Sequence, residues 1–381
     1  GGTIAAAGDV DILFQSSVQE TQPNGTAGGV RVSVNGGAGT DYFEHFRPDT
    51  TAGPAPLDYR LFADTATATT LDSGYVFELI AGENIYIAAT NPGAADPRID
   101  LASQTDHGDA GQIDVLLNGS ITLTEIAGIY NIHEIQSQIG DIDLTTLDGD
   151  AAVGFIQAHA GDVAIDAGGA DAAIYETTSA DDGATPFVIG NSIRLQATAG
   201  IGYVDDFFEI DSSSQAIGTV FALANDSVFL TETSGDLNLD GVASAHEDVS
   251  LLVLSGSMLD GIEEVEDLAD VQGRDIDLIV SGGIGTDTRD VEILGAGSYQ
   301  QNNSLQISTG QPDDGRLYAV ADQGIYLKEV NASLDILRVE SFSGDVSLKV
   351  HDTTDTIAGK TDPLPEDLNL LAGNGQTLTG D

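Results

Sequence analysis

Carboxylates are the chemically active groups this sequence holds in quantity: 62 Asp and Glu stand against 12 Lys and Arg, a formal charge of −50 with His neutral. Carboxylates ligate hard cations such as calcium, and in inverting glycosidases an acid–base pair flanks the scissile bond about 6.5–9.5 Å apart. Adjacent acids stand at Asp181-Asp182, Asp205-Asp206 and Asp313-Asp314, and Asp41 closes the glycine-rich run Gly36-Gly37-Ala38-Gly39-Thr40. Asp205, Asp206, Asp313 and Asp314 are therefore candidate metal ligands, with calcium the candidate cofactor. Other chemistries lack their residues. The absence of Cys excludes thiol nucleophiles, zinc–thiolate sites and disulfides. His45, His107, His133, His159, His246 and His351 form neither a His-x-His pair nor a His-Glu-x-x-His motif, so a zinc site would need separate segments. Gly200-Ile201-Gly202 and Gly283-Ile284-Gly285 lack the third glycine of a dinucleotide fingerprint and read as corners. The basic residues are scattered singly, offering no base or clamp for a polysaccharide lyase, and the net charge repels uronate polymers, nucleic acid and anionic membranes. No catalytic residue is assigned, and the expectation is a protein that is not an enzyme, with a β-helix polysaccharide lyase or glycosidase as the lesser alternative.

The elements that would carry these acids are short strands. Hydrophobic types make up 41% of the chain and charged types 19%, a composition that folds, unlike an acidic tail. No apolar run approaches the roughly 18 residues of a membrane helix, so no membrane insertion is expected. The start at Gly1, without Met or a signal-like segment, suggests a mature or excised piece. Asn-x-Ser/Thr triplets at Asn24, Asn118, Asn225, Asn302 and Asn331 would matter in a glycosylating compartment.

One phrase recurs throughout: a turn residue, then two β-favouring apolar residues separated by one polar residue. Instances are Gly8-Asp9-Val10-Asp11-Ile12, Gly111-Gln112-Ile113-Asp114-Val115, Gly140-Asp141-Ile142-Asp143-Leu144, Gly161-Asp162-Val163-Ala164-Ile165, Gly235-Asp236-Leu237-Asn238-Leu239 and Gly344-Asp345-Val346-Ser347-Leu348. Alternation of this kind turns the apolar pair inward and the middle residue outward. Gly119, Gly140 and Gly161 open copies at intervals of 21, and roughly twenty residues is one turn of a β-solenoid. Longer self-similarity relates Ile193–Ile210 to Ile276–Ile293 at a shift of 83, and Gly218–Glu232 to Gly315–Glu329 at a shift of 97. A weaker copy at Ile121–Ile129 precedes Ile193–Ile201 by 72.

The expected fold is all-β, a right-handed parallel β-helix (β-solenoid), with tandem β-sandwich domains as the alternative, since 72 to 97 residues also suits an immunoglobulin-like unit. Residues 1–37 give the first strands. Residues 38–73, with Pro48, Pro54, Pro56 and the aromatics Tyr42, Phe43, Phe46, Tyr59 and Phe62, form an irregular loop or insertion. Residues 74–351 are solenoid repeats, interrupted near 258–272 by a short amphipathic helix built on Ile262, Val265 and Leu268. Residues 352–381 make a tail or final strand. If the copies overlie one another, Asp11, Asp114, Asp143, Asp277 and Asp335 share an outward site, and neighbours about 5 Å apart cost roughly 1–3 kcal/mol per contact before screening. Cations would relieve that repulsion. Phe221, Phe229, Tyr318 and Tyr326 fall at outward strand positions, suited to lateral packing.

The stretches Gly200–Asp211 and Gly283–Leu294, each a Gly-Ile-Gly corner followed by polar residues and Glu-Ile, resemble the repeat units of giant bacterial surface proteins and filamentous-haemagglutinin-type adhesins. Residues 36–43 resemble one copy of the calcium-binding repeat of secreted RTX proteins, which implies Asp41 as a further candidate calcium ligand. The first resemblance implies an extracellular, cell-surface structural or adhesive role: a segment of an adhesin, filament or surface layer. It agrees with self-association into a filament or sheet, or continuation in a longer polypeptide, with a surface glycan or host protein as the alternative partner.

Overall fold

The computed structural model describes residues 120–125, 128–178, 183–213, 218–261, 269–295, 315–330 and 334–350; elsewhere it describes strands alone, from Ile4–Ala5 to Ile113–Leu117 and at Leu368–Leu370. The described residues are all β, without a helix. The chain divides into two compact units, one of Gly1–Asp181, Pro186–Thr198 and Ser214–Ala216, the other of Asp182–Thr185, Ala199–Ser213 and Ile217–Asp381.

In the first unit successive strands feed two parallel ladders in alternation. One ladder runs Ile99–Gln104, Ile121–Glu125, Ile142–Thr146, Val163–Ala167 and Ile193–Ala197, in register through Ile99, Ile121, Ile142, Val163 and Ile193. The other includes Tyr59–Ala63, Ile85–Ala89, Ile113–Leu117 and Tyr130–Ser137. The recurring phrase explains the register. Ile121, Leu123, Ile142, Leu144, Ile165 and Leu195 are all buried, and a slip of one residue would turn every one of them to solvent.

The second unit repeats the scheme. Phe208–Asp211, Val228–Glu232, Val249–Val253, Ile276–Val280, Leu317–Ala321 and Leu334–Ser341 alternate along the chain with Val220–Ala224, Leu237–Ser244, Val271–Gln272, Val291–Leu294, Ile325–Glu329 and Val346–Val350. Within each series the pairing is parallel. The β-sandwich alternative needs antiparallel sheets. Parallel ladders fed by alternate strands are instead consistent with a parallel β-helix.

Several expectations change. Residues 38–73 contain three strands, Gly39–Glu44, Tyr59–Ala63 and Thr69–Leu71, and Tyr59–Ala63 pairs with both Val30–Asn35 and Ile85–Ala89. The prolines lie between strands and do not exclude the segment from the sheet. The stretch 258–272 begins and ends in strand, at Met258–Asp260 and Val271–Gln272, so the expected helix does not reach those ends. Ile262, Val265 and Leu268 lie outside the described residues. Beyond 352 there is a strand, Leu368–Leu370, paired with Leu334–Ile336. The 97-residue copies do not overlie one another: Val228–Glu232 and its copy Ile325–Glu329 lie in different series, as do Leu237–Ser244 and Leu334–Ser341. The copies are separated by an odd number of strands, so each recurs on the opposite ladder.

Two of the outward acids are accordingly interleaved: Asp143 stands between Thr122 and Ala164, and Asp277 between Ser250 and Tyr318. At these two positions the expected column of stacked Asp is absent, because equivalence in sequence is not adjacency in the sheet, whereas Asp114 falls opposite another acid, Glu134.

The 83-residue repeat is reproduced to the level of single dihedrals. Gly202 and Gly285 adopt φ of +65° and +64°, and each precedes a hairpin closed by paired backbone bonds, Tyr203 with Asp206 and Thr286 with Arg289. Ile201 and Ile284, one residue earlier, are buried. A Cβ on Gly202 would run into the Phe229 carbonyl oxygen, and one on Gly285 would lie 2.6 Å from that of Tyr326. Gly285→Ala is therefore expected to lower unfolding free energy by about 1–3 kcal/mol or more, measured by chemical denaturation, against a change within about 0.5 kcal/mol for the exposed Asp287→Ser.

Candidate functional site

Several acids stand just before a strand, at its corner, and bind backbone of a later strand. The Asp141 carboxylate accepts the Asp162 N–H at 2.9 Å, and the Asp162 carboxylate accepts the Ser192 N–H at 2.9 Å and the Asn191 side-chain amide at 3.0 Å. In the second unit Asp248 accepts from Asp275 N–H at 3.2 Å, and Asp275 from Arg316 N–H at 3.1 Å. Asp150 takes Ala173 N–H at 2.9 Å, Asp236 takes Ser257 N–H at 2.8 Å, and Asp270 takes Glu292 N–H at 2.8 Å. The sense is constant: the carboxylate belongs to the earlier turn, the N–H to the later one. Main-chain bonds run the other way, since the carbonyls of Asp162, Asp248 and Asp275 accept from Ile142, Val228 and Val249 at 2.9 Å each. One residue thus ties the turn below to the turn above.

A second device stops the long strands. Tyr130–Ser137, Leu237–Ser244 and Leu334–Ser341 each have eight residues and a register skip, leaving His133, Asp240 and Leu337 as the extra residues of a bulge. Each ends in Ser, whose hydroxyl accepts the N–H three residues on: Ser137 from Gly140 at 2.9 Å, Ser244 from Glu247 at 2.8 Å, Ser341 from Gly344 at 2.9 Å. A corner Asp follows immediately in each case, at Asp141, Asp248 and Asp345.

A third group of acids points inward. Glu125, Glu232 and Glu329 occupy the fifth position of equivalent strands, 107 and 97 residues apart, and are at most 1% exposed. Glu232 accepts the Ser212 hydroxyl at 2.7 Å and its N–H at 3.0 Å. Burial outweighs those donors and, with the nearby Asp211, pushes the Glu232 carboxyl up to about 8. Asp277 is also raised, by burial first and then by Asp275.

Basic side chains are absorbed in the same way. In the second unit Arg274 pairs with Glu247 and Asp248 at 2.9 Å, Arg316 with Asp275 at 3.2 Å, Lys328 with Glu292 at 2.7 Å and Lys349 with Asp290 at 2.5 Å, while Arg289 meets Asp260 and Arg338 meets Glu340. The outward aromatics are half-exposed as their strand positions require, and two have intramolecular partners: Phe229 packs on Phe207 at 5.4 Å, and Tyr318 carries the Arg338 guanidinium at 5.7 Å.

Of the candidate calcium ligands, Asp205 and Asp206 lie on the hairpin after Gly202, with Asp206 held by its backbone bonds to Tyr203. Asp41 is in the strand Gly39–Glu44, opposite Leu71, and its side chain lies outside the described residues, as do Asp181, Asp182, Asp313 and Asp314. No group of three or more His, Asp or Glu able to hold a metal ion occurs among the described residues. No protein-family model, curated protein or solved structure matches the chain.

Two measurements test these assignments. Asp162→Ala should lose about 1–2 kcal/mol of stability in chemical denaturation, while Asp166→Ala, on the neighbouring exposed strand position, should stay within about 0.5 kcal/mol. Folded Glu232 keeps its proton to about pH 8, whereas the unfolded chain releases it near 4.5. Its contribution is therefore complete below pH 4.5 and declines as pH rises through 8. In melting curves from pH 4 to 9, Glu232→Gln should flatten that alkaline loss; an unchanged slope would contradict the assignment.

Proposed function

We propose that the chain is a non-enzymatic, extracellular, repeat-built structural protein, a segment of a cell-surface adhesin, filament or surface-layer assembly. In this reading the alternating ladders are the faces of a right-handed parallel β-helix, the hand that parallel crossovers almost always take. The observation that carries it is the employment of the acids. The residues most able to do chemistry, the corner Asp, are bonded to backbone of the following turn, and the described Lys and Arg of the second unit are bonded to acids. Such a chain provides extent, rigidity and display. It associates with copies of itself or continues into a longer polypeptide.

One observation favours a second reading, a display module that binds a surface glycan or host protein. The hairpin Tyr203–Asp206 holds Val204 74% exposed beside an exposed Tyr203, a small apolar tip on a rigid corner.

Cations enter as stabilisers, by screening the charge of −50 and, for calcium, by bridging carboxylates such as Asp205 and Asp206. The melting temperature should rise with sodium chloride, and rise further with millimolar calcium at matched ionic strength, reversibly on adding EDTA. Equal curves at matched ionic strength would remove the calcium ligands and leave screening alone. Negative-stain electron microscopy should show elongated particles; compact particles would overturn the structural reading.

A further inference from the structure

The strand Val346–Val350 lacks what covers its own copy. Val249–Val253, 97 residues earlier, has Val249, Leu251 and Val253 fully buried because Ile276–Val280 stacks on it, Val249 on Ile276 and Leu251 on Leu278. Val346–Val350 stacks in the same way on Ile325–Glu329, Val346 on Ile325 and Leu348 on Leu327, but its other edge has no partner among the described residues. Its inward-facing Val346 is 47% exposed, and Leu348 and Val350 are half-exposed. The corner tells the same story. The carbonyl of Asp345 accepts Ile325 N–H at 2.8 Å, as that of Asp248 accepts Val228 N–H, yet the Asp345 carboxylate has no donor among the described residues, where Asp248 has the N–H of Asp275.

What covers the earlier copy is a strand reading Asp275-Ile276-Asp277-Leu278, with Ser250 donating to Asp277 at 3.4 Å. The same order of residue types stands at Asp9-Val10-Asp11-Ile12. The strand Asp11–Leu13 is paired along one edge, with Tyr42–Glu44, and has no partner on the other among the described residues. Polarity agrees as well, since corner carboxylates always receive the N–H of a later turn, and an early strand of a second molecule would be such a turn.

We propose that the edge Val346–Val350 is a docking surface for a second copy of this chain, which adds its strand Asp11–Leu13 in parallel. The register follows from the internal precedent: Asp11 opposite Ser347, Ile12 opposite Leu348, Leu13 opposite the stem of Lys349. The surfaces joined are different, so the contact is heterologous and propagates without closing. This rests on the structural reading above and identifies the surface through which self-association occurs.

The test is association of the full chain, by sedimentation velocity over a thousandfold range of concentration with parallel electron microscopy. Concentration-dependent growth of end-to-end particles is expected. Ser347→Asp, which sets an acid opposite Asp11, should weaken association at least about tenfold while the melting curve stays in place, and adding Asp11→Ser to the same chain should restore it. A labelled peptide of residues 6–16 gives a second readout, binding wild type and competing with assembly but not binding the Ser347→Asp chain. Elongated particles that remain single at every concentration would overturn the docking surface and leave the structural reading standing. Association indifferent to Ser347→Asp would overturn it too, by placing the contact elsewhere. Compact particles would sink the structural reading itself, and this inference with it.

Discussion

Everything else in these units depends on how a turn end satisfies the backbone N–H that its ladder cannot reach. A strand of five residues has corners close to each end, where an N–H lies beyond its ladder; these donors are part-buried at Ala173, Asp275 and Glu292 and exposed at Asp162, Ser192, Ser257 and Arg316. An Asp placed just before the strand supplies a charged acceptor to a strand that follows it, a bond type that contributes about 1.5–3 kcal/mol at most. Its side chain is short enough to stay beside its own backbone, and its carboxylate is a stronger acceptor than a neutral amide. The arrangement at Asp141 and Asp162, or at Asp248 and Asp275, is a staircase in which each step supports the next. Because the Asp acceptor is on the earlier strand in each of these bonds, the ladder has a direction.

That role accounts for much of an otherwise costly composition. A charge of −50 on 381 residues repels itself, and the ladders reduce the penalty in two ways. Outward Asp143 and Asp277 are interleaved with Thr, Ala, Ser and Tyr, and Glu247 and Asp248 share the cation of Arg274. Inward Glu residues follow the opposite logic: Glu232 is buried deeply enough to hold its proton at neutral pH, and so adds no charge to the core it interrupts. Surface ion pairs of this kind contribute little singly. With 12 bases against 62 acids they offset only part of the charge.

The strands and their inward faces were legible in the sequence, because Gly-x-apolar-x-apolar is a local signal and burial enforces it. Ile142 and Leu144, or Val163 and Ile165, lie inside for the reason their spacing gives. What self-similarity could not supply was parity. A copy 97 residues away may lie any number of strands away, and an odd number moves it to the other ladder; Asp143 and Asp277 were expected in like-charged columns on that account, and stand among neutral neighbours. The corner Asp was legible as a residue of the phrase but not as an acceptor, since its donor lies 21 to 41 residues on and nothing local marks it. Ser137, Ser244 and Ser341 had a readable signal, a Ser three residues before the turn residue that precedes each strand, hidden by an abundance of Ser elsewhere. The buried Glu125, Glu232 and Glu329 follow Thr or Lys and look like solvent-facing ends; only their common fifth position in an alternating strand points inward.

Direction and charge together decide how such a chain can grow. Lateral contact would bring two acidic surfaces together over their whole length, a repulsion that added salt reduces and does not abolish. Axial contact meets the opposite balance. At the edge Val346–Val350 the described residues leave a small apolar strip, and the Asp345 carboxylate has no donor among them, so on the proposed docking another strand would bury Val346 and give Asp345 the kind of donor that Asp248 has. On that proposal the acids that oppose sideways packing are the ones whose geometry favours axial addition, and a single residue type would govern both.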